Sequence, residues 1–175
     1  MNYPKRKPLR LPHYDYSSPG AYFVTICTKD RRCILSKIAV GADALGGPCL
    51  QLTDIGKAVE QHILSTARIP GFHVDKYVIM PNHVHMIMRI DREDANSDNG
   101  PPRASAPTVS DAVGALKRLV DRETGSEIWQ RSFHEHVIRS ENDYLEIWEY
   151  IGNNPARWAE DRYYTQSLHG DQDHA

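Results

Sequence analysis

With 175 residues, 40% of them apolar and 25% charged, the chain has the profile of one soluble globular domain spanning 1–175, long enough to bury a real core. No stretch approaches the roughly 18 apolar residues of a membrane helix, the basic start "MNYPKRKPLRLPHYDYSSPG" lacks the apolar centre of a secretory signal, and Cys27, Cys33 and Cys49 show no C-x-x-C pairing, which favours free thiols in a reducing cytoplasm over a disulfide framework. The net charge of −2 argues against a uniformly basic surface, yet residues 1–32 carry seven Lys/Arg against Asp15 and Asp30, and residues 140–175 carry eight acids against Arg157 and Arg162. A polyanion responds to that local field rather than to the average.

Residues 1–19 form a basic N-terminal segment. "GAYFVTICT" (20–28) is rich in β-branched and aromatic residues and follows the turn signal "SSPG", which predicts a strand. "ILSKI" and "CLQLT" flank the Gly-rich "AVGADALGGP" and suggest a small irregular hairpin. In "TDIGKAVEQHILSTARI" (53–69) apolar residues recur at 55, 58, 59, 63 and 67, a helical period with Thr53 or Asp54 as N-cap, closed by Pro70 and Gly71. "FHVDKYVIM" and "HVHMIMRI" read as two strands of an antiparallel hairpin joined at Pro81-Asn82.

Residues 91–107 are acidic, then rich in Pro, Ser and Ala, and predict a mobile internal loop. Helical spacing resumes over 108–124, and "FHEHVIRS" (133–140) reads as a strand. Ser140-x-x-Asp143 is a capping-box pattern opening a last helix, which Pro155 ends or kinks; 165–175 reads as a flexible tail. The order β-α-β-β-α-β-α, without internal repeats, predicts an α+β sandwich: an antiparallel sheet with helices on one face.

The stretch "YVIMPNHVHMIM" (77–88) places two histidines among large apolar side chains. On a strand, His83 and His85 share one face while Val84, Met86 and Met88 share the other. The second set supplies core, and the first makes a preorganised chelate for a divalent metal, or a pair of hydrogen-bonded core imidazoles. His134 and His136 in "FHEHVIR" repeat the pattern, and spacing alone does not separate the two pairs. In "EYIGNNPARW" (149–158), Tyr150 and Asn154 stand four apart on one helix face, toward the edge of an apolar stripe running through Tyr144, Ile147, Trp148 and Ile151. A phenol beside a carboxamide suits a nucleophile next to a metal ligand, and equally a rim tyrosine with an asparagine near the helix end.

The segments "RLPHYDYSSPGAYFVTICTKDRRC", "VIMPNHVHMIM" and "IWQRSFHEHVIRSENDYLEIWEYIGNNPARW" together, in that order and over nearly the whole chain, resemble the single-tyrosine HUH transposases, most closely the REP-associated tyrosine transposases. The resemblance implies a ferredoxin-like HUH endonuclease fold, Tyr150 as nucleophile, and His83, His85 and Asn154 as ligands of a divalent metal. His134 and His136 match no ligand of that pattern and are left to structure or substrate contact. Amide oxygen with imidazole suits Mg²⁺ or Mn²⁺, with Zn²⁺ as a further candidate.

On that basis the expected activity is a metal-dependent single-strand DNA endonuclease and strand transferase acting through a covalent 5′-phosphotyrosine. The expected partner is single-stranded or hairpin DNA carrying palindromic repeats, bound by a monomer or homodimer, with no membrane partner. Lys5, Arg6, Lys7, Arg10, Lys117 and Arg118 would track phosphates, and Tyr14, Tyr16 and Trp129 would stack on bases, with a core role as the other reading of Trp129. Two alternatives remain: a non-cleaving DNA-binding protein on the same fold, and an unrelated metallohydrolase with a four-histidine site made of His83, His85, His134 and His136.

Overall fold

β1 (Gly20–Cys27) alternates as its composition suggests, with Tyr22, Val24 and Ile26 facing one way and Ala21, Phe23 and Thr25 the other. It opens a computed structural model that describes residues 18–40, 48–91 and 108–164. β2 (Ser36–Val40) and β3 (Pro48–Leu52) pair as a separate two-stranded sheet. α1 (Asp54–Ser65) begins at Thr53, whose Oγ1 accepts the Gly56 N–H at 3.1 Å. Residues Thr66–Arg68 tighten into a 3₁₀ turn, so the helix stops short of the 53–69 period. Gly56 is fixed by space: a Cβ there would lie 2.0 Å from the Leu35 carbonyl oxygen.

β4 (Phe72–Ile79) and β5 (His83–Ile90) form the expected hairpin around Pro81-Asn82, with the Met80 N–H donating to the His83 carbonyl at 2.9 Å. α2 (Val109–Thr124) carries a complete capping box between Thr108 and Asp111 and ends at Gly125, φ 68°. β6 (His134–Ile138) and α3 (Glu141–Asn153) follow. Ser140 Oγ accepts the Asp143 N–H at 3.1 Å, but the Asp143 carboxylate turns to His136 and the Arg139 N–H, so only half of that predicted box is made.

The four-stranded sheet has the order β4-β5-β1-β6 with antiparallel neighbours throughout. Together with α1 and α2 this is the βαββαβ frame of a ferredoxin-like fold. Both helices cover one face, where Val59, Ile63, Val113 and Leu116 pack on Tyr22, Val24, Val84, Met86 and Met88. α3 departs from the one-face expectation. Its Ile151 packs against Val78, Met80 and Ile87 on the opposite face, beside Phe23 and the hairpin residues Ile38 and Leu50. The layering is therefore helix, sheet, helix, and β5 is covered on both sides.

Cys27 is buried, Cys33 and Cys49 are half-buried, and all three are free thiols. Among the described residues no helix is long and apolar enough to cross a membrane. Lys5, Arg6, Lys7, Arg10, Tyr14 and Tyr16, the tail 165–175 and all but Asp91 of the 91–107 loop lie outside the described residues.

Candidate nucleophile and metal site

The second face of β5 presents His83, His85, Ile87 and Arg89, and α3 lies over it. His83 and His85 are fully buried, with ring centroids 4.4 Å apart. Burial pushes both imidazoles down, His83 to about 4 and His85 well below its ordinary range, with His83 itself a further cause for His85. Both are therefore neutral at neutral pH, the form a metal ligand requires.

The hydrogen bonds fix which nitrogen of His83 faces the site. Asn82 Nδ2 donates to the carbonyls of Tyr163 (2.8 Å) and Arg31 (3.3 Å), so its Oδ1 is turned to His83 Nδ1 at 2.9 Å. A carbonyl oxygen only accepts, so His83 carries its proton on Nδ1 and leaves a lone pair on Nε2. His83 Nε2 is buried and has no hydrogen-bond partner. His85 Nδ1 meets the Thr25 hydroxyl at 2.8 Å from the neighbouring strand, in register with it.

α3 brings the other two predicted residues to the same place. Tyr150 Oη lies 3.2 Å from His85 Nε2, and the phenol is 41% exposed, open to solvent on its outer side. Asn154, one turn on, is buried. Its Nδ2 donates to Asp161 Oδ2 at 2.9 Å. A carboxylate only accepts, so the amide cannot be flipped, and Oδ1 is the atom left inside the site, buried and without a partner. Two orphaned acceptors, His83 Nε2 and Asn154 Oδ1, beside a second neutral imidazole form a donor set that fits a divalent cation.

Asp161 was not visible in the sequence as a site residue. Its Oδ2 accepts the Tyr150 hydroxyl at 3.1 Å and its Oδ1 accepts the Tyr163 N–H at 2.6 Å. His83, His85 and Asp161 also bring ligand atoms within 4.8 Å of one another. Burial, then the Asp161 charge, pushes the Tyr150 phenol up to about 12. Tyr163 closes the inner wall, its ring 4.8 Å from His83, and Arg31 and Arg162 approach that ring at 5.3 and 4.5 Å. Asp30 and Arg31 both adopt left-handed backbone, φ 56° and 54°, which ordinary residues avoid and which clusters at functional positions.

The other predicted residues fall elsewhere. His136 pairs with Asp143 at 2.9 Å at the start of α3, an exposed structural contact. His134 shares the face of Thr25, one strand further out, and is lowered by burial and then by Arg162 and Arg31. The four-histidine cluster is not assembled: among the described His, Cys, Asp and Glu side chains, the group close enough to share a metal is His83 and His85 with Asp161. Lys117 turns its ammonium to the carbonyls of Gln130 (2.8 Å), Arg131 (3.4 Å) and Ser132 (3.1 Å), which commits its donors to a loop rather than to a phosphate. Arg118 is exposed on α2. Trp129 is buried in the first core, so the core reading holds over the base-stacking one. Trp148, expected in the apolar stripe, sits at its margin, 37% exposed under the Lys76 ammonium at 4.4 Å.

No protein-family model matches the chain. An uncharacterized protein of Haemophilus influenzae is 35% identical over 177 residues, spanning 91% of this chain and 93% of its own. The REP-associated tyrosine transposase of Escherichia coli is 24% identical over 143 residues, 81% of this chain and 70% of its own. A solved structure of a REP-associated tyrosine transposase bound to a REP hairpin superposes with a TM-score of 0.58 at 23% identity, over 85% of this chain and 74% of that one, and carries the same fold.

Proposed function

We propose that the chain, which is similar in sequence and in fold to REP-associated tyrosine transposases, is a metal-dependent single-strand DNA endonuclease and strand transferase working through a covalent 5′-phosphotyrosine. The observation that carries this reading is the convergence of Tyr150, His83, His85 and Asn154, from β5 and the C-terminal end of α3, on one site where the phenol is partly exposed. The substrate would be hairpin or single-stranded DNA with palindromic repeats, the ligand type named for the solved relative.

In this mechanism Tyr150 Oη attacks the scissile phosphorus in line and gives up its proton, a tyrosyl–phosphate bond forms, the bond to the 3′ oxygen breaks, and that oxygen takes up a proton to leave as the 3′ hydroxyl. The free 3′ hydroxyl and the 5′-phosphotyrosine can then rejoin, or the phosphotyrosine can be passed to another 3′ end. Nicking and strand transfer are thus one chemistry run in two directions. The buried site keeps the phenol un-ionised at neutral pH, so positive charge must meet the phosphate as the attack develops. A divalent cation, Mg²⁺ or Mn²⁺, held by His83, His85 and Asn154 would supply that charge by polarising a phosphoryl oxygen. Asn82 and Thr25 keep the two imidazoles oriented. Arg31 and Arg162, exposed beside Tyr163, would meet the flanking phosphates.

The test is a labelled hairpin oligonucleotide incubated with the chain and Mn²⁺, then boiled in detergent and resolved on a gel. A label that migrates with the protein supports the reading. No adduct on any hairpin or single strand, or equally robust nicking of relaxed linear duplex, would count against it.

A further inference from the structure

We propose that Asp161 is the positioning residue of this reaction: one carboxylate holds the Tyr150 hydroxyl and turns the Asn154 amide, so nucleophile and metal-facing oxygen are set together. The assignment rests on the tyrosine-nucleophile reading above. Three contacts define it: Oδ2 accepts Tyr150 Oη–H at 3.1 Å and Asn154 Nδ2–H at 2.9 Å, and Oδ1 accepts the Tyr163 N–H at 2.6 Å. The third anchors the carboxylate to the backbone, so the first two are held by a fixed point rather than by a mobile side chain.

The alternative role for Asp161 is as a direct ligand beside His83 and His85, to which its oxygens are near enough. The pattern of satisfied and unsatisfied atoms separates the two. A carboxylate offers about four acceptor sites, and three of those on Asp161 already face donors, two of them on the one oxygen that holds Tyr150 and Asn154. Among the described side chains of this site, the buried atoms that lack partners are His83 Nε2 and Asn154 Oδ1. Asp161 acts on the latter, because its acceptor-only character forces the Asn154 amide to present oxygen inward.

His85 sharpens the argument. Tyr150 has one hydroxyl proton, and Asp161 can only accept it. The phenol oxygen is then the acceptor facing His85 Nε2, which must be the protonated nitrogen in this arrangement, with Nδ1 accepting from Thr25. A lone pair on Nε2 offered to a cation cannot also carry that proton. Of His85 and Asp161, the two groups within hydrogen-bond distance of Tyr150 Oη, Asp161 is the one that stays compatible with a loaded site. A misplacement of about 1 Å at such a nucleophile costs about 100-fold in rate.

The experiment compares Asp161→Ala and Asp161→Asn with the parent chain. It follows adduct formation in single-turnover mode at saturating labelled hairpin, the hairpin concentration at half saturation, and calorimetric Mn²⁺ affinity; thermal melts identify folded variants. Asparagine keeps the volume but only one acceptor oxygen, so it cannot serve both the Tyr163 N–H and the Tyr150–Asn154 pair. The expected result is a fall of about 100-fold in the saturated rate, half-saturation unchanged within about threefold, and Mn²⁺ affinity lowered far less than in His83→Ala. An unchanged rate, or Mn²⁺ affinity lost as fully as in His83→Ala, overturns the assignment. A parent chain that forms no adduct overturns the tyrosine mechanism and this assignment together, whereas an adduct indifferent to Asp161 overturns only the latter.

Discussion

Asn82 Oδ1 accepts the Nδ1 proton of His83 at 2.9 Å, and this bond sets which nitrogen of the histidine looks into the site. The asparagine is itself oriented by two backbone carbonyls, from Tyr163 and Arg31, so the imidazole is fixed through a chain of groups that cannot rotate independently.

Removing that orientation should weaken the site without removing a ligand. Asn82→Ala is expected to lower Mn²⁺ affinity by about 10–100-fold, the usual cost of losing a partner that orients a ligating histidine. Calorimetric titration measures it. Affinity equal to that of the parent chain would show that the Asn82–His83 bond does not prepare the ligand.

The two H-x-H pairs should behave differently. His83→Ala and His85→Ala are expected to lose Mn²⁺ affinity and adduct formation, since each removes an inward-facing imidazole. His134→Ala and His136→Ala should retain Mn²⁺ affinity, because His136 is committed to Asp143 and His134 lies beyond Thr25. Titration of all four variants decides the matter, and equal losses in both pairs would contradict the assignment.

Spacing alone could not make that distinction, since both pairs lie on strands and both face the same side of the sheet. What separates them is the third layer. α3 crosses over β5, while His136 meets the start of α3 at the sheet edge. A sign of that layer was present in the sequence: "HVHMIMRI" is nearly unbroken in large apolar side chains and histidines, the signature of a strand covered on both faces. The two hairpins, α1, α2 and the Tyr150–Asn154 face were legible because turns, period and capping are local properties, whereas the pairing of β1 with β5 and β6 joins distant segments. Asp161 was not. It follows the irregular turn Pro155–Glu160, where no period links its position to Tyr150, and only the folded path places its carboxylate between two residues of α3.

Stability of the metal-free chain should depend on pH in a direction set by the buried histidines. His83 is lowered from 6.5 to about 4 by burial, and His85 is lowered well below 6.5 by burial and then by His83. Between those limits the unfolded chain binds protons that the folded chain refuses, so stability rises with pH and levels off above about 6.5. In chelator, the melting temperature should be lower at pH 5 than at pH 7 and nearly flat from pH 7 to 8. A melting temperature that does not fall from pH 7 to 5 would mean that the two imidazoles are not buried in the neutral form.

The proposed chemistry depends on Tyr150 Oη. Of the nine tyrosines, Tyr144 shares α3, but it lies six residues earlier, packs in the second core and donates its hydroxyl to Asp75 at 3.1 Å. Among the described tyrosines, Tyr150 is the one whose hydroxyl lies within hydrogen-bond distance of both His85 and Asp161. Tyr150→Phe removes one oxygen and keeps the ring, whose edge packs on Phe23 with centroids 6.0 Å apart, so folding, Mn²⁺ binding and hairpin binding should persist. The decisive measurement is the detergent-resistant protein–DNA adduct on labelled hairpin with Mn²⁺, made side by side for Tyr150→Phe and Tyr144→Phe. The account predicts no adduct for Tyr150→Phe and a normal one for Tyr144→Phe; an adduct that persists in Tyr150→Phe would place the nucleophile elsewhere and contradict the mechanism.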